Sequence, residues 1–458
     1  MEILEIMNQN IKVGIDAISF DVPKIYLPIK ELAVARDIEP AKLEKGLGLL
    51  KMSLPDVHQD VVVFAANALR KLFEQENLKP SDIDRIYVGT ESGIDSSKPI
   101  ASFVLSLMED WLGEGTFEHC DVVDLTFACI GGIDALHNSL DYVRVNPDKK
   151  AVVICTDYAK YDLNSTGEYT QGAGAITLLV SANPRIISIE NKIGVSTKGV
   201  FDFFKPKRAL SKKEVTGKDN NPEWFGVLEN EIDLFKEQPV FDGQYSNTCY
   251  QDRLKGAYFR LKEILGKEGT LYTEWKNIIV HLPYSFQGRR MFSEIYALDS
   301  DLKNSLPGTP AEYAEKIKEI GKSDEYRSFV KEKFGPAEIA SSDIGNMYTS
   351  SIFMGLFSTL YFYHTNNIEI QGEKFGFLAY GSGSKSKAFE GVIENNWKQQ
   401  TEKIQLFETL EKVQAIDIDT YHLLHKKELK VPVIQPENEY VLEKIESENP
   451  VLTGARYY

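Results

Sequence analysis

The chain has 458 residues, of which 43% are hydrophobic, enough to build the cores of a large globular protein. Lys and Arg total 52 against 68 Asp and Glu, and the net charge of −16 argues against a general affinity for nucleic acid or anionic membranes. The four cysteines are scattered and form no C-x-x-C pair, which argues against a disulfide scaffold and a zinc site. We therefore expect reduced thiols and a cytoplasmic protein.

The first part of the chain, residues 12–190, alternates short apolar runs with amphipathic segments. This pattern is typical of an α/β protein in which helices cover a buried sheet. No basic region precedes an apolar core at the N-terminus, so we expect no secretory signal. Strands are predicted at 12–20, 85–90, 121–127, 151–158 and 175–182, the third of them as a buried run. Helical spacing appears at 22–36, 60–75 and 133–144.

The second part, residues 191–458, repeats this style after a looser start. Residues 191–274 are rich in charged and aromatic residues and are interpreted as a connecting and capping region. Further along, the pattern predicts a strand within 275–284, solvated helix within 300–333, an apolar helix within 339–364 and a strand at 374–384. The segment after residue 401 is charged and is expected to pack on the surface.

One stretch, residues 344–363, carries no charge over twenty residues and in that respect imitates a membrane span. It also contains Gly, Asn, Thr and Ser, which suit a buried helix better than contact with lipid. We therefore expect no association with a membrane.

Cys129 lies between the strand predicted at 121–127 and a helix that opens with two glycines, Gly131 and Gly132. A cysteine at a helix N-terminus feels the positive end of the helix dipole, which favours the nucleophilic thiolate. The glycines would allow an acyl group to approach the backbone, and free N–H groups there could hold an oxyanion. The alternative is a small apolar residue that packs where a strand meets a helix. Cys120 and Cys155 fit that alternative.

Three other polar residues follow or end buried segments. Glu91 follows the strand at 85–90, where burial would raise the basicity of its carboxylate, although an exposed loop glutamate is the common case. His281 ends a strand, where it could donate to a substrate carbonyl or bond to backbone within the core. Asn346 opens a helix and could serve as an N-cap. With Cys129, these residues occupy the strand ends where α/β proteins assemble their sites.

Nucleotide and metal sites are not predicted. The glycine-rich segments at 171–175 and 381–384 do not complete a G-x-G-x-x-G motif, and no G-x-x-x-x-G-K-[ST] sequence occurs. No H-E-x-x-H motif or cluster of His and Asp supports a metal ion.

The chain resembles the 3-hydroxy-3-methylglutaryl-CoA synthase family of the thiolase superfamily over most of its length. The motifs that carry this resemblance occur in the family's order: VGTES with Glu91, FACIGG with Cys129, TDYAKY with Asp157, TQGAGA with Thr170, FDFFKP with Asp202, VFDGQYS with Ser246, VHLPY with His281, GNMYTSS with Asn346 and YGSGS with Ser382. The chain departs from the family at Ile130, where an aromatic residue is usual, and at Phe286, where a lysine is usual. The later basic position is Arg290.

The resemblance implies a thiolase-like layered αβαβα fold built from two similar halves, here 12–190 and 191–458, and a homodimer. The first half carries Glu91 and Cys129, and the second carries His281, Asn346 and the loop at 381–384.

The implied activity is that of an acyltransferase of the mevalonate pathway, which condenses acetyl-CoA with acetoacetyl-CoA and water to give 3-hydroxy-3-methylglutaryl-CoA and CoA. Cys129 would carry the acetyl group, Glu91 would remove a methyl proton, and His281 would polarise and protonate the acceptor ketone. No metal or redox cofactor is expected, because the thioester supplies the activation. The residues implied in substrate binding or support are Asp157, Thr170, Asp202, Ser246, Arg290, Asn346 and Ser382.

Three alternatives stay open. A decarboxylating ketoacyl synthase also uses Cys, His and Asn, but it lacks a glutamate base, so Glu91 argues against it. A synthase that installs β-methyl branches on polyketides would take its groups from an acyl carrier protein, and the altered positions Phe286 and Arg290 keep it open. A catalytically inactive binding or scaffold protein would not be expected to retain Glu91, Cys129, His281 and Asn346 together.

Overall fold

The computed structural model describes residues 11–218 and 229–458. The strands in the described ranges are β1 (Val13–Asp21), β2 (Ile25–Pro28), β3 (Lys51–Leu54), β4 (Arg85–Gly89), β5 (Asp121–Leu125), β6 (Ala151–Ala159), β7 (Gly172–Ala182), β8 (Ile187–Thr197), β9 (Phe203–Phe204), β10 (Arg208–Ser211), β11 (Glu231–Leu234), β12 (Val240–Phe241), β13 (Asn277–Val280), β14 (Lys374–Gly381), β15 (Lys385–Ile393), β16 (Gln414–Ala415), β17 (Lys444–Ile445) and β18 (Arg456–Tyr457).

The helices of the same ranges are α1 (Ile29–Ala35), α2 (Pro40–Leu47), α3 (Val61–Glu76), α4 (Ile100–Leu112), α5 (Gly131–Val145), α6 (Lys212–Thr216), α7 (Gly243–Leu265), α8 (Gln287–Met291), α9 (Ser293–Leu298), α10 (Pro310–Ile320), α11 (Asp324–Lys333), α12 (Gly335–Ile344), α13 (Ser351–Thr365), α14 (Trp397–Glu402), α15 (Leu406–Glu411) and α16 (Ile418–His425). Short 3₁₀ helices cover Pro80–Asp82, Glu168–Thr170, Leu271–Glu274, Asp301–Ser305 and Tyr348–Ser350.

Nine strands form one large sheet in the order β13-β14-β15-β8-β1-β7-β6-β4-β5. One group of four neighbouring strands consists of β13, β14, β15 and β8. The other group of five consists of β1, β7, β6, β4 and β5. The two groups meet where β1 pairs with β8, through Gly14 with Ser188 and Ile15 with Ile187. The predicted boundary between residues 190 and 191 falls inside β8, which therefore connects the two halves.

Helices cover both groups of strands in layers. α3 packs on β1, β6 and β7, and α5 contacts β1, β4, β6 and β7. α7 packs on β8, β14 and β15, while α13 contacts β13 and α12. The largest core cluster joins α5 and α13 to strands of both halves, with Ile133, Val180, Phe353 and Phe377 among its members. The predicted α/β class with a thiolase-like layering is confirmed.

Local sequence explains the best predicted elements. The Asp60 side chain caps α3 by accepting from the N–H groups of Val62 and Val63, and the apolar residues that follow are buried at helical spacing. β6 and β7 are interior strands and are buried along almost their whole length, which is why each appears as a continuous apolar run. These strands and helices confirm their predictions.

The interpretation of 191–274 as a connecting and capping region is wrong in two places. Its first residues complete β8, which pairs with β15 from Thr197 to Ile187, and its end forms α7, a helix of 23 residues. α7 was missed because its first turns are polar, although Leu254, Tyr258 and Leu261 are fully buried. Strand β15 was missed as well, because lysines and a glutamate interrupt its apolar pattern.

Three further predictions need correction. β5 is the edge strand of the sheet, with exposed and half-buried residues, so its apolar run is not a buried one. The segment at 300–333 forms α10, α11 and a 3₁₀ turn, and it buries Tyr326 and Val330 rather than remaining solvated throughout. The segment after residue 401 contributes Leu406 and Tyr421 to the interior, and its β16 pairs with β2, so it is not confined to the surface.

The uncharged stretch at 344–363 forms the 3₁₀ turn at Tyr348–Ser350 and most of α13, whose residues are almost all buried. None of the described helices combines the length and the apolar character that a membrane crossing requires.

Candidate active site

Cys129 lies in a tight turn between β5 and α5. Ala128, directly before it, adopts a left-handed conformation with φ of 42°, an uncommon backbone geometry for a residue with a side chain. α5 begins at Gly131, so Cys129 precedes the helix N-terminus. At Gly132, a Cβ atom would lie 2.4 Å from the Cys155 sulfur, so only glycine lets the helix approach β6 this closely.

The thiol of Cys129 is hydrogen-bonded to a carboxylate. Its Sγ donates to Oε1 of Glu91 at 3.0 Å, and the Glu91 side chain is 6% exposed. Burial raises the pKa of Glu91 above its ordinary value, as predicted, while Lys205 partly opposes this rise. Burial and the Glu91 charge together raise the pKa of the Cys129 thiol well above its ordinary value. The expected thiolate is therefore wrong for the free site, because the helix N-terminus does not outweigh burial beside a carboxylate.

Asp157 at the end of β6 holds the Glu91 loop in place. Its Oδ1 accepts from the Glu91 N–H at 2.9 Å and from the hydroxyls of Thr90 at 3.1 Å and Ser92 at 2.8 Å. Its Oδ2 accepts from the Thr349 N–H at 3.0 Å and from the Thr349 hydroxyl. The side chain is fully buried, and burial raises its pKa. Asp157 therefore joins the Glu91 loop to a residue of the C-terminal half.

Lys205 follows the short strand β9 and reaches the same carboxylate. Its Nζ lies 3.6 Å from Oε2 of Glu91 and donates to the Glu91 carbonyl oxygen at 3.2 Å. The ammonium group also lies 4.6 Å from the centre of the Tyr348 ring. The Glu91 carboxylate thus has a thiol on one oxygen and a cation near the other.

The loop at 381–384 packs directly against the Cys129 turn. At Gly381, a Cβ atom would lie 2.7 Å from the Phe127 carbonyl oxygen and from the Ile130 side chain, so the close approach requires glycine. Asp202, which is fully buried, fixes the loop, because it accepts from the Gly383 N–H at 2.7 Å and from the Tyr380 hydroxyl at 2.6 Å. Asp202 thus supports the backbone on which Ser382 lies.

His281 follows β13 and is 2% exposed. Its backbone N–H donates to the Leu378 carbonyl oxygen, but its ring Nδ1 has no hydrogen-bond partner among the residues that the structure describes. Burial lowers the pKa of His281 to about 3, so the ring is neutral in the free protein.

Tyr250 connects this histidine to the rest of the site. Its ring stacks near His281, with centroids 6.4 Å apart, and lies 4.5 Å from the Tyr380 ring. Burial raises the pKa of the Tyr250 hydroxyl, and Tyr284 and Cys129 add smaller contributions of the same sign. Tyr250 thus packs against His281 and Tyr380, and its hydroxyl donates to the His281 carbonyl oxygen at 2.7 Å.

Asn346 and Thr170 form a second pair across the two halves. The Asn346 N–H donates to the Thr170 carbonyl oxygen at 2.8 Å, and the Asn346 Oδ1 accepts from the Tyr348 N–H at 2.8 Å. Asn346 therefore does cap the turn that follows it, as the alternative interpretation holds. The Thr170 hydroxyl donates to the Gly167 carbonyl oxygen at 2.7 Å, which is a local turn contact.

Ser246 and Arg290 have no contact with Glu91 or Cys129 among the interactions described. Ser246 lies half-buried on the first turn of α7. Arg290 is exposed and donates to the Gly46 carbonyl oxygen at 2.8 Å. The ring centre of Phe286 lies 3.8 Å from the Arg289 guanidinium group, and the Phe286 N–H donates to the Leu47 carbonyl oxygen. Arg290 and Phe286 thus connect the start of α8 to the end of α2.

A cavity of about 560 Å³ opens onto this cluster. Of the predicted site residues, Glu91 and Ser382 line it, whereas Cys129, His281 and Asn346 are not among the residues of its wall. The remaining wall is formed by the loop at 93–96, Thr126, Ala128, Phe203, Phe204, Lys205, Lys207 and Phe235. Within 11–218 and 229–458, no group of three or more His, Cys, Asp or Glu side chains is arranged to hold a metal ion.

Sequence reasoning missed Lys205 and Thr349, which contact Glu91 and Asp157. Both belong to motifs that were recognised, FDFFKP and GNMYTSS, so the signal was present. A lysine among aromatic residues, or a threonine next to a tyrosine, does not by itself indicate a contact with a distant carboxylate.

Comparison with known proteins identifies the family. The family model described as "Hydroxymethylglutaryl-coenzyme A synthase N terminal" matches residues 9–185, and the corresponding C-terminal model matches residues 230–421. A hydroxymethylglutaryl-CoA synthase of Haloferax volcanii is 28% identical, covering 94% of this chain and 96% of its own length. The enzyme of Enterococcus faecalis is also 28% identical, covering 92% of this chain and 94% of its own.

Solved structures agree with these matches. The structure titled "MvaS in complex with 3-hydroxy-3-methylglutaryl coenzyme A" superposes with a TM-score of 0.79 at 29% identity, covering 95% of this chain and 97% of that one. The HMG synthase of the curacin biosynthetic pathway, at 20% identity and a TM-score of 0.72, shares the fold and covers 91% and 89% of the two chains. With both family models matched in order, the chain belongs to the hydroxymethylglutaryl-CoA synthase family of the thiolase superfamily.

Proposed function

We propose that the protein condenses acetyl-CoA with acetoacetyl-CoA and water to give 3-hydroxy-3-methylglutaryl-CoA and CoA, as the family's name indicates. The observation that carries the proposal is the 3.0 Å hydrogen bond from Cys129 Sγ to Glu91 beside a cavity of about 560 Å³. A nucleophile and a base in direct contact are what acyl transfer followed by proton abstraction requires.

The first step transfers the acetyl group to Cys129. Because the pKa of the thiol is raised, the thiol needs a base, and the Glu91 carboxylate accepts its proton as the sulfur attacks the thioester carbonyl of acetyl-CoA. The bond to the CoA sulfur then breaks, and the CoA thiolate takes the proton from Glu91. The products are acetyl-Cys129, free CoA and a Glu91 carboxylate that is again ionised.

The second step forms the carbanion. Glu91 removes a proton from the acetyl methyl group, and the enolate oxygen needs hydrogen-bond donors already in place. The N–H groups of Gly383 and Ser384 donate to Asp202 and Lys198 within the protein. The N–H groups of Cys129 and Ser382 are therefore the donors that we assign to the enolate oxygen.

In the third step the carbanion attacks the ketone of acetoacetyl-CoA. His281 is neutral, so it polarises the ketone oxygen with a ring N–H rather than as a cationic acid. The proton that Glu91 has taken from the methyl group then neutralises the new alkoxide. The expected role of His281 is thereby modified. His281 still polarises the ketone oxygen, but Glu91 and not His281 protonates the alkoxide. Asn346 keeps the turn beside Thr170 in place and helps to position the thioester.

Water finally hydrolyses the Cys129 thioester, with Glu91 again as the base. The sequence of steps needs no metal or redox cofactor, because a thioester already makes the methyl protons acidic and supplies the leaving group. CoA enters as part of both substrates. The product is the precursor that gives this family its place in the mevalonate pathway.

Mass spectrometry tests the proposal. Incubation with acetyl-CoA should add one acetyl group at Cys129, and acetoacetyl-CoA should then release hydroxymethylglutaryl-CoA. Cys129→Ala should take up no acetyl group. The control is Cys120→Ala, which removes the thiol directly before β5 and should be acetylated like the wild type. A requirement for malonyl-CoA, or acetylation of Cys129→Ala, would overturn the proposal.

The carrier-protein alternative makes a distinct prediction. CoA differs from a carrier-bound pantetheine by its nucleotide and phosphates, which an exposed basic residue such as Arg290 would contact. If acetoacetyl-CoA is the acceptor, Arg290→Ala should raise its KM. Turnover with acetoacetyl carrier protein and none with acetoacetyl-CoA would replace the CoA assignment by the polyketide branching reaction.

We also propose a cytoplasmic homodimer. The thiols at all four cysteines are unpaired, which supports a reducing compartment. β5 pairs with β4 on one side only, as far as the described chain shows, and Val123 on it is exposed, so this edge of the sheet can accept a second copy. Light scattering should give twice the mass of one chain, and Val123→Lys should lower it.

A further inference from the structure

Lys205 contacts one residue of the site twice. Its Nζ donates to the backbone carbonyl of Glu91 at 3.2 Å and lies 3.6 Å from the Glu91 Oε2. The lysine side chain is 11% exposed, so these contacts are only weakly screened by solvent. One cation thus restrains both the backbone and the carboxylate of the base.

The surroundings fix Lys205 in this position. It follows β9, which pairs with β12 through Phe203 with Phe241 and Phe204 with Val240. Pro206 comes next and restricts Lys205 to an extended backbone. The Tyr348 ring lies 4.6 Å below the ammonium group, a cation–π distance.

The charges around Glu91 show what this cation does. Asp157 places a second carboxylate beside Glu91, and both this charge and burial favour a protonated Glu91. The thiol of Cys129 and the hydroxyl of Tyr348 are neutral in the free site, because burial raises the pKa of each. The charge of Lys205, 3.6 Å from the Glu91 Oε2, opposes these effects, so without it the carboxyl group would hold its proton to a higher pH.

We propose that Lys205 is a positioning residue for the reaction: it keeps Glu91 ionised and turned toward Cys129, so that Glu91 can accept first the thiol proton and then the methyl proton. This inference rests on the proposed function. Lys205 keeps its own proton throughout, and no bond to it forms or breaks. Its contacts are with the base and not with the reacting atoms, so it acts through Glu91.

The test compares Lys205→Met, which keeps length but removes charge, with Lys205→Arg, which keeps the charge. In Lys205→Met, the low-pH limb of the kcat profile should move to higher pH, because Glu91 then holds its proton more tightly. The kcat should fall more than KM changes. Lys205→Arg should restore the position of the limb, at least in part. Lys207→Met, at an exposed lysine on the same cavity wall, should leave the limb where it is.

A second measurement does not depend on the reaction. The rate at which iodoacetamide alkylates Cys129 follows the thiolate fraction, and Lys205 lowers the pKa of this thiol. At a pH above the low-pH limb of both proteins, where Glu91 is ionised in each, Lys205→Met should therefore slow alkylation, by about tenfold for each unit that the thiol pKa rises. Circular dichroism and melting temperature would show that the variant is folded.

The outcomes separate the two proposals. An unchanged kcat limb together with an unchanged alkylation rate in folded Lys205→Met would overturn the role of Lys205. Equal loss of activity in the Met and Arg variants without a shift of the limb would overturn it as well, since that pattern indicates a steric role. A wild-type protein that takes no acetyl group from acetyl-CoA would instead overturn the proposed function, while the alkylation result still reports on Lys205.

Discussion

Glu91 and His281 come from different halves of the chain and lie in opposite electrostatic surroundings. Glu91 is held by a thiol, a lysine and the Asp157 network, which act on both its carboxylate and its backbone. His281 is buried with a ring nitrogen that has no hydrogen-bond partner within residues 11–218 and 229–458, and burial lowers its pKa. The N-terminal half thus provides the nucleophile and the base, whereas the C-terminal half provides the cation beside the base and a neutral histidine that can donate to a substrate oxygen.

Glu91→Gln tests the charged side of this comparison and should have the largest effect. An amide cannot accept a proton from the thiol or from the methyl group, so kcat should fall by about 10²- to 10⁴-fold. Single-turnover mass spectrometry should show slow acetylation as well as failed condensation, because Glu91 serves both steps. Glu91→Asp keeps a carboxylate and should retain more condensation than Gln does. Rapid acetylation of the Gln variant would remove Glu91 from the first step.

His281→Asn tests the neutral side. Acetyl-Cys129 should form at the wild-type rate, while condensation falls by about 10²- to 10³-fold, because the shorter Asn amide does not place its N–H where the imidazole N–H meets the developing oxyanion. The control is His58→Asn, a buried histidine outside the site whose ring nitrogens also lack partners in the described chain. That control should leave condensation unchanged. Equal slowing of both steps in His281→Asn would contradict the division between the halves.

Asp157→Asn loosens the network on the charged side. Whichever way the new amide turns, its NH₂ group faces an N–H or hydroxyl donor, which should cost about 1–3 kcal/mol of unfolding free energy. Displacement of the Glu91 loop should also lower kcat, by up to about 100-fold. Asp124→Asn, at a carboxylate that accepts from the first N–H groups of α4, should lose stability but little activity. Denaturant titration and initial rates measure the two effects.

The pH dependence of the unfolding free energy should show the smallest effect. It tests whether His281 is neutral in the folded protein. The folded state holds His281 neutral down to about pH 3, whereas the unfolded chain protonates it near pH 6.5. The stability linked to His281 is therefore complete above that pH and is lost as the pH falls toward 3, by about 2 kcal/mol at pH 5. His281→Asn should flatten this part of the stability profile relative to wild type. An equal slope in both proteins would contradict a buried, neutral His281.

The sequence predicted the strands and helices whose apolar pattern is continuous or clearly periodic. β6 and β7 are buried on both faces, and α3 has an Asp cap followed by apolar residues at helical spacing. The sequence did not predict the elements whose burial depends on packing against distant parts of the chain. α7 begins with polar turns, and β15 alternates lysines with buried residues, so neither shows its buried face in the letters alone.

The site residues show the same difference between local pattern and tertiary contact. Glu91 and Cys129 were predicted together from their places at strand ends and from the family motifs, and the structure brings them into contact. The ionisation of Cys129 was not predictable, because it depends on a carboxylate that is 38 residues away in sequence. Lys205 and Thr349 were missed because their partners lie even farther along the chain, 114 and 192 residues away.

The two oxygens of Asp157 bind different halves of the chain, the Glu91 loop on one side and Thr349 on the other. The carboxylate that holds the base is therefore fully hydrogen-bonded only when the two halves are docked. Separating the halves would remove the partners of one buried oxygen, at a cost in free energy that falls on the base loop itself. Catalytic competence is thereby tied to the tertiary assembly of the whole chain.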